Sequence, residues 1–500
     1  MQAPVILSID QGTTNSKAML VRADGSILLS RSRPMRVHHP RPGWAEQSAA
    51  EIWDVVAALI DELIAAVPDA TVAAIAIANQ RETIVLWDAA TGQPVAPAVT
   101  WQCRRSTERC AALAAAGHGE TVAARSGLAL DPMFSAGKLA WLLDSVPDAR
   151  ARAVRGELRC GTVDSWLLSK LTGGAVHATE HGNASRTQLL NLDTGTWDAE
   201  LARLFDVPMA MLPEVMASDA CFGTVAAGVT ALPAGTPIHA MMGDSHAALF
   251  AHGITAPGRV KATIGTGSSL MTATKRRVRS THGLSSTIAW SRGGTIQHGL
   301  EGNITVSGHA AAFTTSLLGL ANEDELTRLA ESVDGSGGVV FVPALAGLGA
   351  PHWAAEARGT ITGMTLATTP AHIARATIEA IALQIGDVLA AMEADLSLRF
   401  SALSVDGGAA RSDLLVWCLA DLTERLVLRP HITEASALGA ARMAAEALDL
   451  PAWADTAPPD RFAPTLPADR RAAIVAGWRR AVAGIVAPPG MGTEPETGAG

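Results

Sequence analysis

The chain has 500 residues but no tyrosine, and only 4% of its residues are aromatic. Its five cysteines are scattered and form no CxxC pair, so neither a disulfide framework nor a zinc site is expected. No apolar run of about eighteen residues is free of charge and glycine, so no membrane-spanning helix is expected. No basic and apolar leader precedes the first strand. These absences predict a soluble, cytoplasmic protein with no membrane partner.

The charge balance and the size narrow the class of protein further. The net charge is −9, and the basic clusters at Arg104-Arg105 and at 275–279 are not interleaved with aromatic residues, which argues against a nucleic-acid partner. The chain is 48% apolar and 17% charged, and it exceeds what one hydrophobic core usually organises. We therefore predict two domains, residues 1–252 and 253–486, followed by a disordered tail at 487–500.

The most informative segment lies at the start of the chain. An apolar run at 5–9 predicts a buried strand, which ends in Asp10 and is followed by a turn with Gly12 and Thr13-Thr14. A second apolar run, 18–21, predicts the return strand. Backbone N–H groups in such a glycine turn can hold a phosphate, and the carboxylate at the strand end can hold a hydrated Mg²⁺. The alternative is a plain β-hairpin with no ligand.

The same arrangement recurs in the second half of the chain. Residues 258–264 predict a strand, Gly265 to Ser269 a glycine and hydroxyl turn, and 270–274 another strand. A third glycine turn follows at 405–409, and the apolar spacing after Thr369-Pro370 predicts a core helix. Strands alternate with helical stretches throughout, which indicates an α/β fold with two similar domains facing each other across a nucleotide.

Nine short segments between about residue 5 and residue 485 form a pattern. They are Asp10-Gln-Gly-Thr-Thr14, Asn79-Gln-Arg-Glu82, Trp101-Gln-Cys-Arg-Arg105, Gly161-Thr-Val-Asp-Ser-Trp166, Asn183-Ala-Ser-Arg186, Gly243-Asp244, Gly265-Thr-Gly267, Pro343-Ala-Leu-Ala-Gly-Leu-Gly-Ala-Pro351 and Asp406-Gly-Gly408. Together, and in this order, they resemble the FGGY carbohydrate kinase family, most closely its glycerol kinase branch. The resemblance implies two actin-like (ribonuclease H-like) ATPase domains, with ATP and the substrate in the cleft between them.

The resemblance implies ATP and Mg²⁺ as cofactors and assigns residues to them. Asp10 would hold Mg²⁺ through water, and Lys17 stands where glycerol kinases carry an arginine. At the adenosine end the sequence departs from the family, because Ala312 and Ser412 replace a glutamine and an asparagine. The residues implied to contact the nucleotide are Thr13, Thr14, Asn15, Lys17, Thr266, Gly308, Gly408 and Ser412.

A kinase needs a general base near the attacking hydroxyl, and Asp244 matches that aspartate of the family. The alternative role of Asp244, capping the helix that follows it, is compatible with the catalytic one. Arg81 and Glu82 match a pair that binds neighbouring hydroxyls of the substrate, and the alternative for them is a surface ion pair. Trp101 matches an aromatic wall behind the carbon chain, although a single tryptophan is more often part of the core.

The remaining substrate contacts of the glycerol kinase branch are not retained. Met133 replaces a tyrosine, Ser245 a glutamine, and Ser269 an aromatic residue. These changes predict a larger and more polar pocket, so we expect a polyol somewhat longer than glycerol, with a four-carbon polyol as the first candidate. His246 is adjacent, either as a substrate contact or, as we favour, packed in the domain interface.

Two alternative functions stay open at this point. One is a ketose kinase of the xylulose or ribulose type from the same family, and the other is a non-catalytic sugar-binding regulator with the same fold. The resemblance also implies a homo-dimer or homo-tetramer. Substrate stereochemistry, the oligomeric state and allosteric regulation are not readable from the sequence.

Overall fold

Two twisted sheets with helices packed against them organise the chain in a computed structural model that describes residues 4–451, 453 and 457–486. The predicted tail at 487–500 lies outside the described residues. No helix in the described part of the chain is long and apolar enough to cross a membrane.

The first half of the chain forms the first sheet and most of the helices around it. Its elements are β1 (Val5–Gln11), β2 (Asn15–Arg22), β3 (Ile27–Pro34), β4 (Glu46–Gln47), α1 (Ala49–Ala66), β5 (Val72–Asn79), β6 (Val85–Asp88), β7 (Ala98–Val99), α2 (Thr107–Ala115), α3 (Gly119–Ser126), α4 (Ser135–Ser145), α5 (Ala149–Val154), β8 (Leu158–Gly161), α6 (Val163–Leu171), β9 (Ala178–Glu180), α7 (His181–Ser185), β10 (Leu190–Asn191), β11 (Thr196–Trp197), α8 (Ala199–Phe205), a 3-10 turn (Met209–Met211), β12 (Glu214–Met216), β13 (Cys221–Thr224), β14 (Pro237–Gly243) and α9 (Asp244–Ala251).

The second half of the chain repeats this plan with a longer central helix. Its elements are β15 (Arg259–Ile264), β16 (Ser268–Thr274), β17 (Ser285–Arg292), β18 (Thr295–Ile304), α10 (Gly308–Leu317), α11 (Glu323–Glu331), β19 (Val340–Val342), β20 (Thr360–Thr362), α12 (Pro370–Leu396), β21 (Ala402–Asp406), a 3-10 turn (Ala409–Arg411), α13 (Asp413–Thr423), β22 (Leu426–Arg429), α14 (Ala435–Ala447), β23 (Asp460–Phe462) and α15 (Ala468–Ile485).

The two sheets share one local arrangement, which is an antiparallel hairpin beside a parallel strand. The first sheet has the order β13-β14-β5-β1-β2-β3, with β1 antiparallel to β2 and parallel to β5. The second has the order β17-β18-β16-β15-β21-β22-β23, with β15 antiparallel to β16 and parallel to β21. Both predicted strand–turn–strand motifs are therefore present, and their glycine turns lie at the ends of the hairpins.

The long helix α12 is the core helix that the apolar spacing predicts. Thr369 caps its start and Pro370 occupies the first turn, where a missing N–H costs nothing. Its buried face includes Ala374, Ile381 and Val388, which belong to the hydrophobic core of the second half.

Helix α14 packs across the two halves of the chain. Although it belongs to the second half of the chain, it lies against β1, β5 and the helix α9 of the first half. The contact is close at Gly439, where a Cβ would lie 1.9 Å from the carbonyl oxygen of Ala247, and Ser8 Oγ donates to the carbonyl of Ala437 at 2.7 Å. This packing fixes α9, whose first residue is Asp244. The boundary near residue 253 stays a prediction.

Candidate active site

Asp244 lies at the junction between β14 and α9. Its Oδ1 accepts hydrogen bonds from the backbone N–H of Ser245 at 2.6 Å and from Arg81 Nε at 3.1 Å. The side chain is 35% exposed, more than its charged neighbours, so the carboxylate is held on one side and accessible on the other. Gly243 precedes it because a Cβ there would lie 2.6 Å from Arg81 Cδ.

Arg81 follows β5 and is buried between two carboxylates. Its Nε contacts Asp244, and its Nη2 lies 2.7 Å from Oε1 of Glu301 on β18. Its Nη1 is buried and has no hydrogen-bond partner among the described residues. A buried guanidinium nitrogen without a partner is costly, and an ordered water or a ligand oxygen would relieve that cost.

Glu82 and Arg186 extend this charged cluster. Arg186 Nε donates to Glu82 Oε1 at 2.6 Å, and Arg186 Nη1 lies 2.9 Å from Glu301 Oε2. Glu82 has a φ of 61°, a left-handed conformation that is strained for a residue other than glycine. Burial alone would raise the pKa of Glu301, but the Arg186 and Arg81 guanidinium groups hold that pKa well below its usual range. Arg81 and Glu82 are thus buried and not a surface ion pair.

Sequence reasoning did not find Glu301, and it gave Arg186 no role. A lone glutamate at a buried strand position, in Leu300-Glu301-Gly302, is the one signal that pointed to it. Lys138 on α4 was also missed. Its Nζ is buried and donates to the carbonyl oxygens of Glu82 at 3.1 Å and Met133 at 2.5 Å, and burial lowers its pKa to about 7.

The three positions that the sequence predicts to be changed substrate contacts lie around this cluster. Ser269 on β16 donates its hydroxyl to Glu301 Oε1 at 3.0 Å, so the serine joins the charged network. Met133 is half-buried beside Asp131 and Lys138, and Ser245 is half-buried next to Asp244.

His246 is fully buried, and its Nε2 lies 3.3 Å from Thr287 Oγ1 on β17. Burial and the nearby Arg81 charge hold its pKa well below the usual range. The histidine therefore packs between the two halves of the chain, as we favoured from the sequence, and is not free to bind a substrate hydroxyl.

Trp101, the predicted aromatic wall, contacts the first glycine turn. Its Nε1 donates to Thr13 Oγ1 at 2.9 Å, and Thr13 Oγ1 donates to Gln80 Oε1 at 3.1 Å. Gln47 Nε2 also donates to the carbonyl of Thr13 at 2.9 Å. Thr14 and Asn15 are exposed on the same turn. The turn is thus held firmly at Thr13 and open at its tip.

The second glycine turn lies against the start of α10. Gly265 N–H donates to the carbonyl of Gly267 at 2.9 Å, and Thr266 is exposed. A Cβ at Gly308 would lie 2.6 Å from the carbonyl oxygen of Gly265, so close packing alone requires this glycine. A Cβ at Gly408 would have no other heavy atom within 4 Å, so packing does not require a glycine at that position.

Two further predicted residues have structural partners. Ser412 caps α13 by accepting from the N–H of Leu415 at 3.3 Å. Lys17 on β2 pairs with Glu434, just before α14, at 2.7 Å. Asp10 lies opposite Lys17 in the hairpin register. Burial, with the Asp244 charge adding to it, raises the pKa of Asp10 to about 7.

The sequence matches two family descriptions over most of its length. Residues 5–251 match the N-terminal domain, and residues 260–448 the C-terminal domain, of the FGGY family of carbohydrate kinases. The chain belongs to the FGGY family of carbohydrate kinases. It is 47% identical to a glycerol kinase of Geobacter sp. (strain M21) over 95% of this chain and 98% of that protein. It is 46% identical to an apulose kinase of Pectobacterium atrosepticum over 90% of each.

Solved structures of the FGGY kinases give the same fold. The structure of Plasmodium falciparum glycerol kinase with ADP matches with a TM-score of 0.91 and 28% identity, over 97% of this chain and 99% of that one. A xylulose kinase of Lactobacillus acidophilus matches with a TM-score of 0.88 at 20% identity, over 97% of this chain and 99% of that one, and supports the fold alone. The predictions of family, of two actin-like domains and of an ATP-dependent kinase acting on a small carbohydrate or polyol are confirmed.

Proposed function

We propose that this FGGY kinase transfers the γ-phosphoryl group of ATP to a terminal hydroxyl of a polyol longer than glycerol, with a four-carbon polyol as the first candidate. The observation that supports this most directly is Arg81, whose Nε contacts the accessible carboxylate of Asp244 and whose buried Nη1 has no partner among the described residues. A donor group and an acceptor group in contact suit neighbouring hydroxyls, because each hydroxyl both donates and accepts.

In the proposed reaction Asp244 is the general base. It takes the proton of the attacking hydroxyl as that oxygen bonds to the γ-phosphorus, while the bond from phosphorus to the β,γ-bridging oxygen breaks and ADP leaves. Arg81 holds Asp244 through Nε, which fixes the direction of the carboxylate. Thr13, Thr14, Asn15 and Thr266 lie on the two glycine turns assigned to the phosphates. Closure of the cleft is needed to exclude water, which would otherwise accept the phosphoryl group.

The residues around Asp10 suit a magnesium ion. The raised pKa of Asp10 reflects burial and the nearby charges of Asp244 and Glu434, a setting that favours a cation. Within the described residues no three metal-ligating side chains gather into a cage. Mg²⁺ typically keeps several waters and binds through one or two carboxylates and the phosphates, so Asp10 suffices on the protein side. Bound there, the ion would neutralise phosphate charge.

Lys17 pairs with Glu434 in this structure, and we propose that it turns to the phosphates when ATP binds.

The pocket changes support a substrate other than glycerol. A missing aromatic wall removes about 0.5–1.5 kcal/mol beyond area burial, and each missing hydrogen bond to a buried hydroxyl costs about 1–3 kcal/mol. The contact of Ser269 supports this proposal, because its hydroxyl donates to Glu301, which an aromatic ring cannot do.

A ketose is the second candidate substrate class. It is favoured by the 46% identity to an apulose kinase, a value that hardly differs from the 47% to a glycerol kinase. Identity at this level does not separate the two substrates, so the pocket residues must decide. A homo-dimer or homo-tetramer remains a prediction from the family.

The test is a coupled ADP-release assay with ATP and Mg²⁺ against glycerol, erythritol, threitol, xylitol, ribitol, apulose, xylulose and ribulose. We expect a four- or five-carbon polyol to give the highest kcat/KM, with little ATP turnover when no polyol is present. A clear preference for glycerol would overturn the pocket argument, and a preference for a ketose would favour the second candidate.

Restoring the family's side chains should move the preference towards glycerol. In the triple variant Met133→Tyr, Ser245→Gln, Ser269→Phe, the two rings and the two new polar groups reduce the pocket and supply the lost contacts. We expect glycerol kcat/KM to rise by about 10–100-fold, since each 1.4 kcal/mol is tenfold. Steady-state kinetics would measure this. Ser269→Ala is the matched control, because it removes the hydroxyl without adding a ring and should not improve glycerol. Unchanged glycerol kinetics in the triple variant would contradict the assignment of these three positions.

A further inference from the structure

We infer that Glu301 is a positioning residue that links closure of the cleft to assembly of the polyol site, an inference that rests on the proposed function. Glu301 lies on β18 in the second half of the chain and is fully buried. Its two arginine partners, Arg81 and Arg186, both belong to the first half. One buried carboxylate therefore joins the two halves at the substrate site.

The geometry of Arg81 shows what Glu301 contributes. A guanidinium group is planar, so fixing two of its nitrogens fixes the direction of the third. Asp244 holds Nε at 3.1 Å and Glu301 lies 2.7 Å from Nη2, which leaves Nη1 as the buried nitrogen without a partner. Nη1 is the atom proposed to donate to the substrate, and Glu301 is the second of the two anchors that aim it.

The charges of the cluster point to the same role. Three carboxylates, those of Glu82, Asp244 and Glu301, face two guanidinium groups, those of Arg81 and Arg186. The surplus negative charge can stay on Asp244, whose side chain is 35% exposed, while the exposed fractions of Glu82 and Glu301 are 6% and 0%. Without the charge of Glu301, Asp244 becomes the only carboxylate among the described residues that contacts Arg81. It would then be drawn into a closer pair with that arginine and away from the substrate hydroxyl.

Ser269 supports Glu301 from the same half of the chain. Its hydroxyl donates to Oε1, the oxygen that also contacts Arg81. An opening motion that carried β18 away from the first half would separate Glu301 from both arginines and leave buried charges without partners, which is strongly unfavourable unless water enters. The substrate site is therefore complete only when the two halves are together.

The test compares Glu301→Gln with Glu301→Asp and with Asp193→Asn. Asp193 also pairs with an arginine across the two halves, Arg277, but it is 58% exposed and lies outside the proposed pocket. For Glu301→Gln we expect kcat/KM for the best polyol to fall by about 10–100-fold, through a higher KM and a lower kcat, while the KM for ATP stays within about twofold of wild type. Glu301→Asp should recover part of the loss, and Asp193→Asn should match wild type.

Cleft closure is measured separately by small-angle scattering without ligand, where Glu301→Gln should have a larger radius of gyration than wild type and Asp193→Asn should not. This readout needs no substrate, so it keeps the inference testable if no polyol is turned over and the proposed function fails. Polyol kinetics and a radius of gyration both equal to those of Asp193→Asn would overturn the inference. If Glu301→Gln does not fold, Ser269→Ala replaces it in both measurements, because this variant removes one hydrogen bond that holds the Glu301 carboxylate.

Discussion

Replacing Asp244 by asparagine is expected to lower kcat by about 10²–10⁴-fold, the usual contribution of a positioned general base. The amide keeps the shape of the carboxylate and can still accept from the N–H of Ser245, so the start of α9 should remain intact. It cannot take the proton of the attacking hydroxyl. The effect should therefore fall on kcat with little change in the KM for ATP, and steady-state kinetics with the best polyol would measure it.

Asp206→Asn is the control for this substitution. Asp206 is exposed at the end of α8 and pairs with Arg150, and its φ of 57° suits asparagine as well as aspartate. We expect wild-type kinetics from this control. A kcat for Asp244→Asn within about tenfold of wild type would show that another group accepts the proton, since a base contributes at least about 10²-fold.

Replacing Arg186 by methionine is expected to lower the free energy of unfolding by about 3–5 kcal/mol, the cost of breaking a buried ion pair by removing one partner. Arg186 is fully buried, pairs with Glu82 and Glu301, and lies over the ring of Phe134 at 5.2 Å. Methionine nearly fills the same space, so the loss of unfolding free energy comes from the buried carboxylates left without a cation and not from a cavity. Denaturant unfolding followed by tryptophan fluorescence would measure it.

Arg203→Met is the matched control for Arg186→Met. Arg203 pairs with Glu200 one turn away on α8, but the two side chains are 66% and 38% exposed. An exposed pair contributes about 0–1 kcal/mol, so this variant should unfold close to wild type. Equal unfolding free energies for the two variants would mean that water reaches the Arg186 site.

These predictions converge on one cluster in which catalysis and stability are coupled. The left-handed backbone at Glu82 is held by Lys138, which donates to its carbonyl, and by Arg186, which pairs with its carboxylate. Strain of this kind persists only where surrounding contacts determine the conformation.

Local features were predictable because they depend on residues close in sequence. The strands β1, β2, β15 and β16 and their glycine turns follow from apolar runs broken by glycine, and α12 follows from its capping proline and its spacing. The ends of strands were less predictable. β3 continues to Pro34 through exposed arginines and serines, because it is stabilised by pairing with β2 and not by hydrophobic burial. β6 begins at Val85, after the left-handed residue Glu82 turns the chain.

By itself the sequence determined the family, the two-domain α/β fold, the two glycine turns and the identity of the aspartate and arginine proposed to act on the substrate, because each is encoded in short contiguous motifs. Only the tertiary structure decided which charges meet. Lys17 pairs with Glu434 across 417 positions, and Glu301 reaches Arg186 and Arg81 from the other half of the chain. Such pairs leave no local pattern, because the partners become neighbours only when the two sheets pack together and exclude water from the charges between them.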